Sequence, residues 1–238
     1  MGIVPHWNFL IQMCDTPYFV MASDDDEWEP WFLSEVDDLL QKYPNVGLVH
    51  AKISRIWKDG SLIHTEQYDY ELDSCSEYIS HLFSGTLIHC MQNNVFRTDI
   101  VKSAGGCVDM PVAWFSDDAT TILASSNGVA YTRRPSFRFR QSDINTSGDE
   151  SRKLSKKKVM ACVAFKSWLA DRFPLEVASA EKYIEAMAKH SYRTLSLWDF
   201  ITKFYLLKKI KASGKSNLYW DVIKLWIGTK CIKHKRNG

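Results

Sequence analysis

Apolar and polar positions along this chain switch between two periodicities. Tyr18–Ala22 is a short apolar run of the kind that forms a buried strand, and it leads into three consecutive carboxylates, Asp24, Asp25 and Asp26. From Pro30 to Tyr43 the spacing becomes helical. Trp31, Val36, Leu39, Leu40 and Tyr43 share one side, Asp37 and Asp38 lie outside, and Pro30 suits a first turn. Val46–Ile56 reads as a strand, and Asp59-Gly60 as the two-residue turn of a hairpin that returns through Ser61–His64. The same reasoning predicts helices over Trp7–Cys14, Ser76–Phe83, Thr98–Ala104 (stopped by Gly105-Gly106) and Asp117–Ser126 (stopped by Asn127-Gly128). Short strands are expected at Gly85–Met91 and Val129–Thr132. From about Ser151 the pattern is helical only, with candidates at Leu154–Asp171, Leu175–His190, Leu195–Lys211 and Asn217–Lys233. The expected organisation is an α/β domain over residues 1–149 and a helical region over 150–238, joined in the polar stretch Gln141–Lys158.

Composition narrows the class. The 238 residues are 45% hydrophobic and 24% charged, which is ordinary for a globular chain and ample for a sizeable core. Aromatic residues are plentiful (9 Trp, 10 Tyr, 12 Phe), as suits either a large core or a sugar-stacking surface. The 6 cysteines form neither a Cys-x-x-Cys pair nor a zinc-like spacing, which favours reduced thiols in a cytoplasm. No apolar run approaches the ~20 residues of a membrane span. The net charge of +2 hides an asymmetry: the segment from Lys203 onward carries ten basic residues against Asp221 alone. With Leu218–Ile227 before it, that tail fits either a helix packed on the domain or one lying peripherally on an anionic membrane surface. No nucleic-acid reading module accompanies the basic residues.

Chemistry concentrates in two acidic clusters. Three adjacent anions repel one another, so packing alone gives little reason to place Asp24-Asp25-Asp26 after a strand. In an open α/β sheet that end binds ligands, and hard carboxylate oxygens suit Mg²⁺ or Mn²⁺. An acidic helix start, favoured by the macrodipole, is the competing explanation. The second cluster is Asp117-Asp118, where Ser116 or Asp117 would serve as an N-cap in a purely structural reading. The histidines show no metal-type pairing in sequence, and His50, alternating with apolar residues, reads as a core or boundary residue. Gly214-Lys215-Ser216 lacks the first glycine of a phosphate loop and is set aside.

The order and wording of several segments resemble family-2 glycosyltransferases with the GT-A fold. Asn8 with a short helix, then Tyr18-Phe19-Val20-Met21-Ala22-Ser23-Asp24-Asp25-Asp26-Glu27-Trp28-Glu29-Pro30, is similar to the region around that family's metal-binding acidic motif. Asn94-Val95-Phe96-Arg97 and Ala104-Gly105-Gly106-Cys107-Val108-Asp109-Met110-Pro111 resemble its acceptor-side segment. Asp117-Asp118 stands where the family carries a Glu-Asp pair, and Arg138–Ser147 is similar to a mobile loop closing over the diphosphate. The resemblance spans residues 7–147.

It implies an incomplete GT-A-like α/β domain with a helical C-terminal region, transferring a sugar with inversion from a nucleotide-sugar donor to a hydroxyl of a glycan or lipid-linked acceptor in cell-envelope polysaccharide synthesis. By the same resemblance Asp25, with Asp24 and Asp26, would bind divalent Mn or Mg. Asp118 would be the catalytic base beside Asp117, Arg140 and Ser142 would face the donor diphosphate, and Gly105, Gly106 and Trp114 would lie on the acceptor side. Two departures stand out: Ser23 replaces the Asp that usually opens the acidic motif, and only 23 residues precede Asp24, where the family has a longer nucleotide-binding segment. The expectation is therefore a cytoplasmic chain that either forms a homo-oligomer or takes an N-terminal partner fragment. The alternative is a non-catalytic, truncated remnant or subunit.

Overall fold

The computed structural model describes residues 2–141 and 151–193. Helix α1 (Ile3–Met13) leads into strand β1 (Tyr18–Val20), the acidic triplet, a short β2 (Glu27–Trp28) and helix α2 (Phe32–Lys42). Then follow β3 (Leu48–His50), β4 (Ile53–Ile56), β5 (Leu62–Thr65), β6 (Leu72–Asp73) and helix α3 (Cys75–Ser84). Next come β7 (Asn94–Arg97), α4 (Thr98–Ser103), α5 (Ser116–Ala124), β8 (Val129–Tyr131) and β9 (Phe137–Arg140). Helices α6 (Arg152–Arg172) and α7 (Val177–Arg193) close the described chain. The helices expected at Leu195–Lys211 and Asn217–Lys233, and with them the basic tail, lie outside the described residues.

The main sheet has the order β1-β7-β3-β8-β6, with β3 and β8 parallel and the remaining pairs antiparallel. Its strands alternate by face as a two-residue period requires. Leu48, Phe96, Val129 and Tyr131 point into a core with α1, α3 and α5, whereas Val49, Val95 and Ala130 meet Phe32 and Val36 of α2 on the other side. A second sheet, β2-β9-β4-β5, extends the structure beside the acidic triplet. Helices α6 and α7 share the first core: Phe165 stacks on Phe115 with ring centroids 4.6 Å apart, and Ala180, Ile184 and Ala188 join the same cluster.

Two predicted strands need correction. The run Val46–Ile56 is broken after His50. Ala51 donates to the Asn93 carbonyl and Lys52 to Thr132 Oγ1, so β3 ends in the main sheet and β4 begins in the second. Burial on both sides of the break made the hydrophobic run look continuous. The segment Gly85–Met91 is a loop, apolar because Leu87 and Met91 are buried, with amides that bond to side chains instead of a neighbouring strand. The expected hairpin between β4 and β5 is present, but its turn is longer than two residues: Trp57 N–H donates to the Ser61 carbonyl across residues 58–60, with Gly60 at φ +85°.

Candidate active site

Helix α5 carries the second acidic cluster, and its start is built unusually. The approach from Pro111 to Phe115 includes three non-glycine residues at positive φ: Val112 (58°), Ala113 (59°) and Phe115 (69°). A β-branched residue there is disfavoured by contact between its Cβ and the backbone, so the surroundings must hold it. They do: Met110 N–H donates to Ser116 Oγ at 3.1 Å, Val108 N–H to Thr120 Oγ1 at 3.0 Å, and the Phe115 ring is clamped on Phe165. Phe115, not Ser116 or Asp117, occupies the N-cap position and offers no side-chain cap. Asp117 instead accepts the Asp118 N–H at 3.1 Å, so the first-turn carboxylates sit at the positive end of the helix dipole.

Against this turn stands a residue that sequence reasoning missed. His89, on the loop between α3 and β7, places Nε2 3.2 Å from Asp118 Oδ1, and both side chains are only 6% exposed. Burial pulls the His89 pKa down, but the charge of Asp118 and the hydrogen bond to it, with Asp117 and Glu66 behind, outweigh burial and hold it at about 9. Burial, then the neighbouring Asp118 charge, pushes the Asp117 carboxyl well above the usual range, and the His89 cation offsets part of that rise. His89, Asp117 and Asp118 bring one ligand atom each within 4.8 Å of one another, close enough together to hold a metal ion. Nothing in the local sequence announces His89, which sits inside the apolar stretch Leu87–Met91.

The trio opens into a cleft of about 470 Å³. Its walls are largely apolar: Trp7 and Ile3 from α1, Leu87 and Ile88 from the loop, the strained Val112–Phe115 segment, and Tyr183 and Met187 from α7. Burial, followed by the charges of Asp118 and Asp117, raises the Tyr183 phenol well above its ordinary value. The helical region thus supplies a wall of the cleft and a hydroxyl beside the acidic pair.

The structure gathers some predicted site residues and separates others. Trp114, Asp117 and Asp118 line the cleft together, and the Trp114 indole N–H is buried with no partner among the described residues. Gly105 (φ +90°) and Gly106 (φ +98°) end α4 outside the cleft lining. A Cβ on Gly106 would lie 2.4 Å from Asn8 Oδ1, because the Asn8 amide clasps Cys107 through both its backbone N–H and its carbonyl.

The acidic triplet follows β1 and does not line the cleft. Asp24 and Asp25 are exposed, whereas Asp26 accepts from Ser23 Oγ at 2.7 Å and from Arg140 N–H at 2.9 Å. The Arg140 guanidinium bonds to Glu27, to the Asp25 carbonyl at 3.1 Å and to the Lys58 carbonyl at 2.9 Å, beside the triplet. Ser142 lies outside the described residues. The part-buried Cys90 thiol, raised chiefly by burial, feels the charges of both Asp26 and Asp117.

No family model matches this chain, and no curated protein matches it by sequence. Solved structures do match by shape. Staphylococcus aureus TarS 1-349 superimposes with a TM-score of 0.55 at 11% identity, covering 94% of this chain and 60% of that one. TarS 1-349 in complex with UDP gives the same TM-score and coverage at 10% identity. The chain therefore spans less than two thirds of each of these two structures. At such identity the likeness speaks for the fold, and the fold is mixed α/β, GT-A-like, with a helical C-terminal part.

Proposed function

We propose that this chain is the acceptor-side and catalytic part of a glycosyltransferase that moves a sugar, with inversion, from a nucleotide-sugar donor to an acceptor hydroxyl. The observation that carries this reading is the buried Asp118–His89 pair lining an apolar, Trp-lined cleft, within a fold shared with the glycosyltransferase TarS. In the proposed step the acceptor oxygen bonds to the donor's anomeric carbon while the bond from that carbon to the diphosphate breaks. The diphosphate leaves with the electron pair, and Asp118 takes the hydroxyl proton. TarS crystallises with UDP, so a uridine diphosphate sugar is the proposed donor class.

For the metal we retain the acidic triplet, with Asp25 as principal ligand, Asp24 beside it, and Asp26 supporting both through its bonds to Ser23 and Arg140. Exposed hard oxygens fit Mg²⁺ or Mn²⁺, which would supply charge neutralisation at a diphosphate. The nitrogen-containing His89 set fits a softer divalent ion, and Asp118 held by such an ion would be unable to act as base. Arg140, next to the triplet, is proposed to meet the diphosphate by exchanging its bond to Glu27.

The test is a transfer and donor-hydrolysis assay with UDP-sugars and Mn²⁺. Asp118→Asn is expected to lower kcat by about a hundredfold or more with little change in UDP affinity measured by calorimetry, as for a group acting in the transition state. Full turnover by that variant would refute the assignment.

A second reading is supported by the exposed edge of β1. β1 pairs only with β7, and no described strand covers its other side. On this reading the chain is a subunit that binds the nucleotide only with a partner that adds strands there. Absence of UDP binding by the isolated chain would favour it.

A further inference from the structure

The His89 loop is held by buried side chains on both sides of the histidine. Glu66 accepts the Ile88 N–H through Oε1 at 2.5 Å, Asn93 Oδ1 accepts the Cys90 N–H at 2.9 Å, and Asn94 Nδ2 donates to the Cys90 carbonyl at 2.6 Å. Glu66 is the anchor of this frame. It is 2% exposed, its second oxygen accepts the Ile53 N–H of β4 at 2.6 Å, and His50 Nε2 stands 3.6 Å away. A buried carboxylate is a costly way to tie a loop to a strand, since an ordinary ladder bond would serve with no charge to desolvate. What the charge adds is strength and directionality at both accepted amides.

The ring itself needs such a frame. A histidine is commonly oriented by a hydrogen bond at its second nitrogen, but His89 Nδ1 is buried and has no partner among the described residues. With Nε2 on Asp118, the loop backbone must set where the imidazole lies. We propose that Glu66 is a positioning residue, which through the Ile88 amide holds His89 so that its imidazole orients the Asp118 carboxylate at the cleft. The role assigned to Asp118 rests on the glycosyltransferase reading; the anchoring of His89 by Glu66 does not.

The test uses the full chain with Glu66→Gln, which keeps the shape but turns one acceptor into an N–H₂ facing an amide donor. Cys90 adjoins His89 and its thiol is held against Asn93 Oδ1, so peptide-resolved alkylation of Cys90 reports opening of this loop. Cys162, buried in α6, serves as the control for global loosening. Glu66→Gln is expected to speed Cys90 labelling by about tenfold or more while Cys162 keeps its wild-type rate. An unchanged Cys90 rate, or equal acceleration of both thiols, overturns the proposal.

The second readout is the His89 imidazole ¹H–¹³C resonance. In Glu66→Gln it should move toward its position in Asp118→Asn, and a wild-type position would overturn the coupling. In transfer kinetics Glu66→Gln should lower kcat with donor KM within about twofold, and should add little in a His89→Gln background, as coupled residues do. Additive losses would overturn the positioning role. If wild type shows no transfer while both structural readouts behave as expected, the catalytic reading fails and the anchor stands.

Discussion

At the residue scale, the site depends on burying ionisable groups as partners. The His89 cation is balanced by Asp118, with Asp117 and Glu66 behind it, and His89 is in turn the cation that faces Asp118, so removing either member of the pair leaves the other buried without its counter-charge. The sign of the resulting pH dependence follows from His89, whose folded pKa of about 9 exceeds its ordinary 6.5. A raised histidine pKa stabilises the fold fully below about 6.5, and that contribution is lost as pH rises through about 9. Unfolding free energies of wild type and His89→Gln from urea titration should therefore be furthest apart in the acidic range, by about 3 kcal/mol at most, and converge above pH 9. A gap that widens with pH would contradict the ion pair. The acidic residues of this site were visible as Asp117-Asp118 in the sequence. Their histidine was not, because the contact spans 29 positions and both loop and helix had to be folded before it existed.

At the element scale, α1 buries Val4 and Ile11 in the core and is also tied to the segment leading to α5 by one polar side chain. Asn8 clasps Cys107, and Gly106 is the residue whose missing Cβ makes room for it. Asn8→Ala is expected to cost about 1–2 kcal/mol from two lost hydrogen bonds. Gly106→Ala should cost about 2 kcal/mol or more, adding a positive-φ penalty to the clash. The double variant should be less destabilised than the sum, since removing Asn8 removes what the new methyl strikes. Denaturant titration of the three variants decides this, and strict additivity would dismiss the clash. In the sequence, Gly105-Gly106 was legible as a helix stop, whereas the partner that makes Gly106 necessary lies 98 positions away. α2 was legible for a different reason, because an amphipathic period needs no knowledge of the partner. Its buried Phe32 and Val36, with Leu39, Leu40 and Tyr43 packed beside them, follow that period directly.

At the scale of the whole molecule, the described fold leaves the outer edge of β1 unpaired and several apolar side chains of α1 exposed. β1 ends the main sheet, and nearby α1 exposes Phe9 (55%), Leu10 (45%) and Met13 (68%). Unpaired strand edges and grouped apolar side chains both promote association. The isolated chain is expected to elute from sizing chromatography as an oligomer or to be poorly soluble, and Phe9→Lys with Met13→Glu should shift it toward monomer. A monodisperse wild-type monomer would show that this face needs no partner. No described helix is long and apolar enough to cross a membrane.

What the sequence determined alone were the features governed by neighbouring residues. These are the amphipathic helices, the Asp59-Gly60 hairpin, the glycine stops, and the placement of two acidic clusters at the ends of apolar runs. Each depends on local periodicity or on a backbone angle that few residues accept. Tertiary structure decided the rest. Whether 85–91 paired as a strand depended on Glu66 and Asn93 taking its amides, and the split of Val46–Ile56 depended on two sheets competing for one run. Assembly of Asp118, His89, Trp114 and Tyr183 around one cleft required α5, a loop and α7 to meet. Such meetings are set by burial and shape across long separations, which no local pattern encodes.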